Sequence, residues 1–201
     1  LFSLSDSMVI YDWQFPLFIL LGIIAALVGI VTMKAVTHCE QLSRSLHIPS
    51  WLRPVLGGMI ISLIAIGFPQ VLGNGQGAIN YHFIHATPLI LLIALLSAKI
   101  AGSALSIGMG FRGGLFSSSL FLGCLIGQIF GTVVGYFAPP TEGQLTSFML
   151  VGIGATGASI IGAPVTMILL VLELTGDFSV TTGVLAGVLV SSAITRYSFG
   201  Y

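Results

Sequence analysis

Apolar residues run along this chain in blocks of membrane length, and polar residues gather in the short gaps between them. Phe15 to Val36 is the first block, close to the ~20 residues with which a helix crosses a bilayer. Its Gly22 and Gly29 are positions where a second helix can approach closely. Lys34 to Arg53, with Lys34, His38, Arg44, His47 and Arg53, reads as a water-facing connection. A second block, Trp51 to Leu72, ends in the turn-rich Gly73 to Gly77, and a polar connection with His82 and His85 follows. Pro88 to Ile107 is the third block, and Leu115 to Phe137 the fourth, closing at Pro139-Pro140. Thr146 to Leu174 is too long for one plain span and is interrupted over Gly152 to Pro164. Pro164 fits the first turn of a new helix, where its missing N–H has no partner to lose, and Gly176 fits that helix's end. The last block, Thr182 to Ile194, has only about 13 residues, so it needs tilt or extension by its neighbours to span.

Composition narrows the class. Of 201 residues, 56% are hydrophobic and 6% charged, and the mean hydropathy is +1.09. Soluble domains carry about 25% charged residues, so a water-soluble fold is excluded. A net charge of +0 gives no pull toward nucleic acid. Six Lys and Arg are too few to orient the chain by the positive-inside count. Cys39 and Cys124 lack metal or redox spacing and read as small apolar fillers. With no signal peptide visible, the chain reads as a fragment cut on both sides.

Candidate chemistry concentrates in Gly108 to Ser119, GMGFRGGLFSSS, where glycines and hydroxyls break the apolar pattern. In hydrocarbon, broken backbone is tolerated only where protein buries it or it lines a polar cavity. A helix starting there aims its free N–H groups and positive dipole end into that cavity, which builds an anion site without a buried cation. Short and interrupted spans are also the mark of transporters with a mid-membrane site. GMGFRG and GIGATG both match G-x-G-x-x-G, but both lie between membrane-length runs and not in a βαβ unit, so a dinucleotide site is set aside. The four histidines lack the companions of a metal site and read as solvated loop residues. Ser117, Ser118 and Ser119 have no general base in the apolar runs, which sets aside an intramembrane protease. Lys99 and Glu173 are charges deep in apolar runs; each costs about 2.5–3.5 kcal/mol at a helix centre on insertion scales. Both are expected to face the interior, paired with each other or with backbone and hydroxyl groups.

Two stretches resemble one family. GFRGGLFSSSLFLG is similar to the G-G-x-F-x-P signature of CLC chloride channels and chloride/proton exchangers. GIGATGASIIGAPVTMILLVLELTGDF resembles that family's later small-residue run, with Ala-Pro before a helix carrying V-x-E-x-T. Lys99 precedes Phe116 at the distance where the family often has a basic residue. The resemblance runs from about Phe15 to Tyr201 and matches the C-terminal half of the family's membrane domain. Two positions depart from the pattern: Ser118 stands at the signature's proline, with a loosened helix start as the expectation, and Arg112 precedes the glycine pair. Arg112 either focuses anions or reaches water.

The resemblance implies an all-α integral membrane fold of tilted, broken and re-entrant helices, one half of an inverted repeat, with residues 1–201 as a single unit. It implies chloride transport, as channel or antiporter, with no catalysis and no cofactor, chloride being the transported ligand. The anion is held by the amides of Leu115 and Phe116 after Gly113 and Gly114, with Ser117 beside them, and by a tyrosine hydroxyl. Tyr201 is the best match for that tyrosine and Tyr197 the other candidate. Partners implied are the N-terminal half, a second copy contacting through Phe15 to Val36, Pro164 to Thr175 and Thr182 to Ile194, and the bilayer of the plasma membrane. The competing readings are an assembly or regulatory half-domain without transport, and an unrelated broken-helix secondary transporter.

Overall fold

The computed structural model describes residues 12–45, 49, 51–73, 75–84, 87–111, 113–137 and 143–199. Among them are eight α-helices: α1 Phe15–Ser45, α2 Arg53–Gly67, α3 Gln76–Ile84, α4 Leu89–Gly108, α5 Phe116–Phe137, α6 Gln144–Ile161, α7 Pro164–Thr175 and α8 Phe178–Phe199. Single 3-10 turns lie at Asp12–Gln14 and Pro69–Val71, and the described residues contain no strand. The fold is all-α and of the integral membrane class: α1, α4, α5, α6 and α8 are long and apolar enough to cross a membrane, and α2 and α7 are shorter apolar helices.

The centre of the molecule is α6. Almost every residue from Gln144 to Ile160 is buried, the place expected of a helix that is apolar all round. Around it pack α1, α5, α7 and α8. Small residues set these distances, because lipid supplies no hydrophobic drive and helices associate by close contact. A Cβ on Gly123 would collide with the backbone of Gly152, and one on Gly127 with the backbone of Phe148, so α5 and α6 touch main chain to main chain. The glycines of GIGATG therefore belong to a continuous helix, and the break expected over Gly152 to Pro164 contracts to Gly162 and Ala163. There Gly162, left-handed at φ +78, closes α6 with its N–H on the Ala158 carbonyl, and Pro164 opens α7.

Two further expectations change, and the extension that the last block needed is present. The connection assigned to Lys34–Arg53 is helical as far as Ser45. Its Lys, Glu, Gln and Arg residues are good helix formers, and Glu40 and Arg44 pair one turn apart at 2.6 Å. The last span is longer than its apolar block. Asp177 Oδ1 accepts the Ser179 N–H (2.8 Å) as an N-cap, and the hydroxyls of Thr181 and Thr182 bond back to the carbonyls of Asp177 and Ser179. Helix α8 so gains its length from polar residues whose hydrogen bonds close within the helix. His82 lies in α3, 2% exposed, and not in a solvated loop. Its main-chain oxygen accepts from Gln128 Nε2 (3.4 Å) and its Nδ1 faces Thr87 Oγ1 (3.3 Å), which docks α3 on α5.

Helices α1 and α8 run parallel. Gly22 meets Gly187 near their starts, where a Cβ would stand 2.6 Å from the Gly187 carbonyl oxygen, and Phe199 lies beside Lys34 and His38 near their ends.

Candidate anion site

The break after α4 is a built turn. Gly110 is left-handed at φ +92; its N–H bonds the Ile107 carbonyl (3.0 Å) and the next N–H, of Phe111, bonds the Ser106 carbonyl (3.0 Å). This pairing satisfies the last carbonyls of α4, and only a glycine adopts that φ without strain. Phe111 and Met109 then pack on Gly57 of α2. Sequence reading located the glycine break but not this cap; a glycine two residues past a helix end is the signal that marks it.

Contacts fix the depth at which α5 begins. Gly108 packs against Cys39 and Glu40 near the polar end of α1. Helices α5 and α6 are antiparallel, with Gly123 on Gly152 and Gly127 on Phe148. Continuing that register sets Phe116 level with Ser159, and Ser159 packs against Gly29 in the middle of α1. Gly29 is about 7 Å from the midpoint of the Phe15–Lys34 span at ~1.5 Å per residue. Phe116 therefore opens α5 level with the middle of α1, displaced along that helix from the level of Cys39 where α4 ends.

The first intrahelical bond of α5 runs from the Ser119 N–H to the Leu115 carbonyl (2.7 Å). The amides of Phe116, Ser117 and Ser118 precede it and have no carbonyl a turn earlier in the helix to bond. Leu115, at the cap position, has no polar side chain to cover them, and the first turn holds no acidic residue. The dipole end of the helix is thus left positive. Ser119 is buried and its hydroxyl is spent on the Phe116 carbonyl (2.6 Å), which tightens the first turn without a proline at position 118. A loosened start is therefore not seen. Ser117 and Ser118 are half-buried, Leu115 is half-buried and Phe116 is 45% exposed. A Cβ on Gly113 or Gly114 would meet nothing within 4 Å, so the space before the helix stays open.

Gly113, Gly114, Leu115, Phe116 and Ser117 thus come together at one helix start. Tyr201 lies outside the described residues, as do Arg112, His47, His85 and Glu142. Tyr197 is on α8 with its side chain 93% exposed. Lys99 does not meet Glu173. Its Nζ donates to the carbonyls of Val71 (3.0 Å) and Gly73 (3.2 Å) and lies 5.5 Å from the centre of the Phe121 ring. Glu173 is exposed on α7. Lys99 therefore ties α4 and the turn after α2 to the second turn of α5, two groups of atoms that sequence spacing could not join.

A voltage gated chloride channel family model matches residues 1–196. Similar proteins include the voltage-gated ClC-type chloride channel ClcB of Escherichia coli O81 (strain ED1a), 30% identical over 198 residues. The ClcB of Escherichia coli O157:H7 is similar to the same degree. Each match covers 98% of this chain and 47% of the relative, so the chain spans about half the length of the curated relatives it matches.

Proposed function

Since this chain belongs to the voltage-gated chloride channel family, we propose that it is the C-terminal half of a chloride-transporting membrane domain and supplies one arm of the anion site. The observation that supports this reading is the start of α5 level with the middle of α1, with uncapped amides and no acid in its first turn. Chloride must be bound well enough to enter and weakly enough to leave, and a full cation at the site would hold it too tightly. Amides and hydroxyls at a dry helix terminus give hydrogen bonds of intermediate strength to an anion. Leu115 and Phe116 offer those amides, the Ser117 hydroxyl stands beside them, and Gly113 and Gly114 keep the approach open. Tyr201 supplies the closing hydroxyl.

The remaining half of the parent protein provides the facing arm, in keeping with inverted halves that meet at a mid-membrane site. The assembly is a homodimer in the plasma membrane. Val165 and Leu169 on α7, with Leu185 and Leu189 on α8, are exposed apolar residues suited to that contact. No cofactor enters the mechanism, since the field of the helix terminus supplies the selectivity for negative charge.

The test uses the full-length parent protein in liposomes, with chloride and proton movement recorded together. Ser118→Asp places a carboxylate in the first turn of α5. That change favours the helix itself while competing for its amides, so thermal stability should hold as chloride affinity falls by on the order of tenfold (about 1.4 kcal/mol). Tyr201→Ala should alter flux or its coupling, and the proton trace separates channel from exchanger. Unchanged chloride affinity in folded Ser118→Asp would sink this assignment of the site; no anion flux in folded wild type would leave a structural module.

A further inference from the structure

One face of α1 changes chemistry at the level where the bilayer ends. Leu20, Leu27 and Val31 recur at spacings that place them on one stripe of the helix, and they are 47%, 55% and 56% exposed. The same stripe continues into Lys34, His38 and Gln41. The roughly 20 residues from Phe15 to Lys34 rise about 30 Å, the thickness of the hydrocarbon core. Lys34 and His38 therefore stand where acyl chains give way to headgroups.

The stripe ends in an open cleft of about 550 Å³ lined by Lys34, Ala35, Thr37, His38 and Gln41, with Phe199 of α8 forming the other wall. Among the described residues, no acidic side chain lines it. Glu40, on the same stretch of α1, is turned away and engaged by Arg44. Arg196, one turn before Phe199, is exposed at the same end of the parallel α8. A cationic cleft at the foot of an apolar, lipid-length stripe matches a molecule with an anionic head and two hydrocarbon tails.

The geometry points to this α1–α8 cleft as a binding site for an anionic phospholipid: Lys34 and His38 take the phosphate, Thr37 and Gln41 the headgroup's polar atoms, and Leu27 and Val31 an acyl chain. Charge complementarity selects this occupant, since a zwitterionic headgroup neutralises its own phosphate and gains little from Lys34. The site is independent of chloride recognition, and it gives the Leu27 and Val31 face of α1 to lipid, so a second copy meets α7 and α8 and not this stripe.

The experiment uses the full-length parent protein in nanodiscs of phosphatidylcholine with and without phosphatidylglycerol. The readouts are lipid retained in native mass spectrometry and the thermal midpoint. Phosphatidylglycerol should raise the midpoint of wild type, as any ligand of the folded state does, and should be retained through purification. Lys34→Gln with His38→Gln, both at exposed positions, should lower retention at least fivefold and erase the shift, whereas Lys34→Arg should keep both. Retention unchanged in the double variant overturns the site. So does an equal shift from inorganic phosphate alone, which would mark a free-phosphate site. Capture of a second copy by a disulfide from Thr37→Cys also overturns it, because the face would then be a protein interface.

Discussion

Lys99 carries the sharpest single-residue lesson. A cation in an apolar run invites a search for its carboxylate, and Glu173 is the obvious candidate in the sequence. The fold gives Lys99 two backbone carbonyls and an aromatic face instead. The carbonyls belong to Val71, which closes the 3-10 turn Pro69–Val71, and to Gly73 beyond it, so one ammonium satisfies a buried and a partly buried acceptor at once. Lys99→Ala should therefore lower stability by about 2–4 kcal/mol, from lost packing plus carbonyls left without a donor. Lys99→Met, which keeps the volume, should cost less. Thermal unfolding in detergent checks the order; equal midpoints for the two variants would mean that volume has no part in the role of Lys99. At the candidate anion site the residues were legible for a simpler reason. Gly113 to Ser117 are contiguous, and a helix start is a local event that the glycine pair and the following apolar run announce. Tyr201, by contrast, lies outside the described residues.

At the scale of elements, the helices were legible where apolar runs stop at glycine or proline, and misread where polar residues continue them. Pro164 and Gly176 bound α7 as their chemistry requires. The end of α1 was missed because Lys, Glu and Arg there look like loop residues, and the extension that the last block needed comes from Thr and Ser of the same appearance. In the structure they form i,i+4 pairs or bond back to the helix. The helical state of GIGATG was missed for the opposite reason: glycine lowers helix propensity in isolation, but here it serves the close helix packing that its small residues also suggested, α6 against α5. Gly127→Val should thus destabilise by about 3 kcal/mol or more, since it forces main chains apart. Gly135→Ala, in the same helix with nothing within 4 Å of the new Cβ, should be neutral or stabilise by up to about 1 kcal/mol. Paired melting curves decide; similar losses in both would show that helix propensity, and not the α5–α6 contact, governs these sites.

Among the described residues, four of the cations gather toward one end of the molecule. Lys34, Arg44 and Arg196 lie at the ends of the parallel helices α1 and α8, and Arg53 opens α2, whose Gly57 meets Met109 at that same end. Asp177 stands at the opposite end, between α7 and α8. The positive-inside rule then assigns the cationic end to the cytoplasm. In a background with Cys39 replaced by serine, Arg44→Cys should react with a membrane-impermeant maleimide only from the inside of cells. Ser179→Cys should react only from the outside, and the reverse pattern would invert the topology.

The sequence by itself determined the membrane class, most of the spans and the start of α5 after the glycine break. Each depends on local composition: runs of apolar residues, a glycine break, a proline at a first turn. Tertiary structure alone decided the partner of Lys99, the burial of His82, the helical state of GIGATG and the depth at which α5 begins. Those depend on which main chains approach one another, and close approach is a property of two surfaces that no single stretch of sequence contains. The sorting of charge by end is of the same kind. Lys34, Arg44, Arg53 and Arg196 are scattered along the chain, and only the directions of the helices gather them.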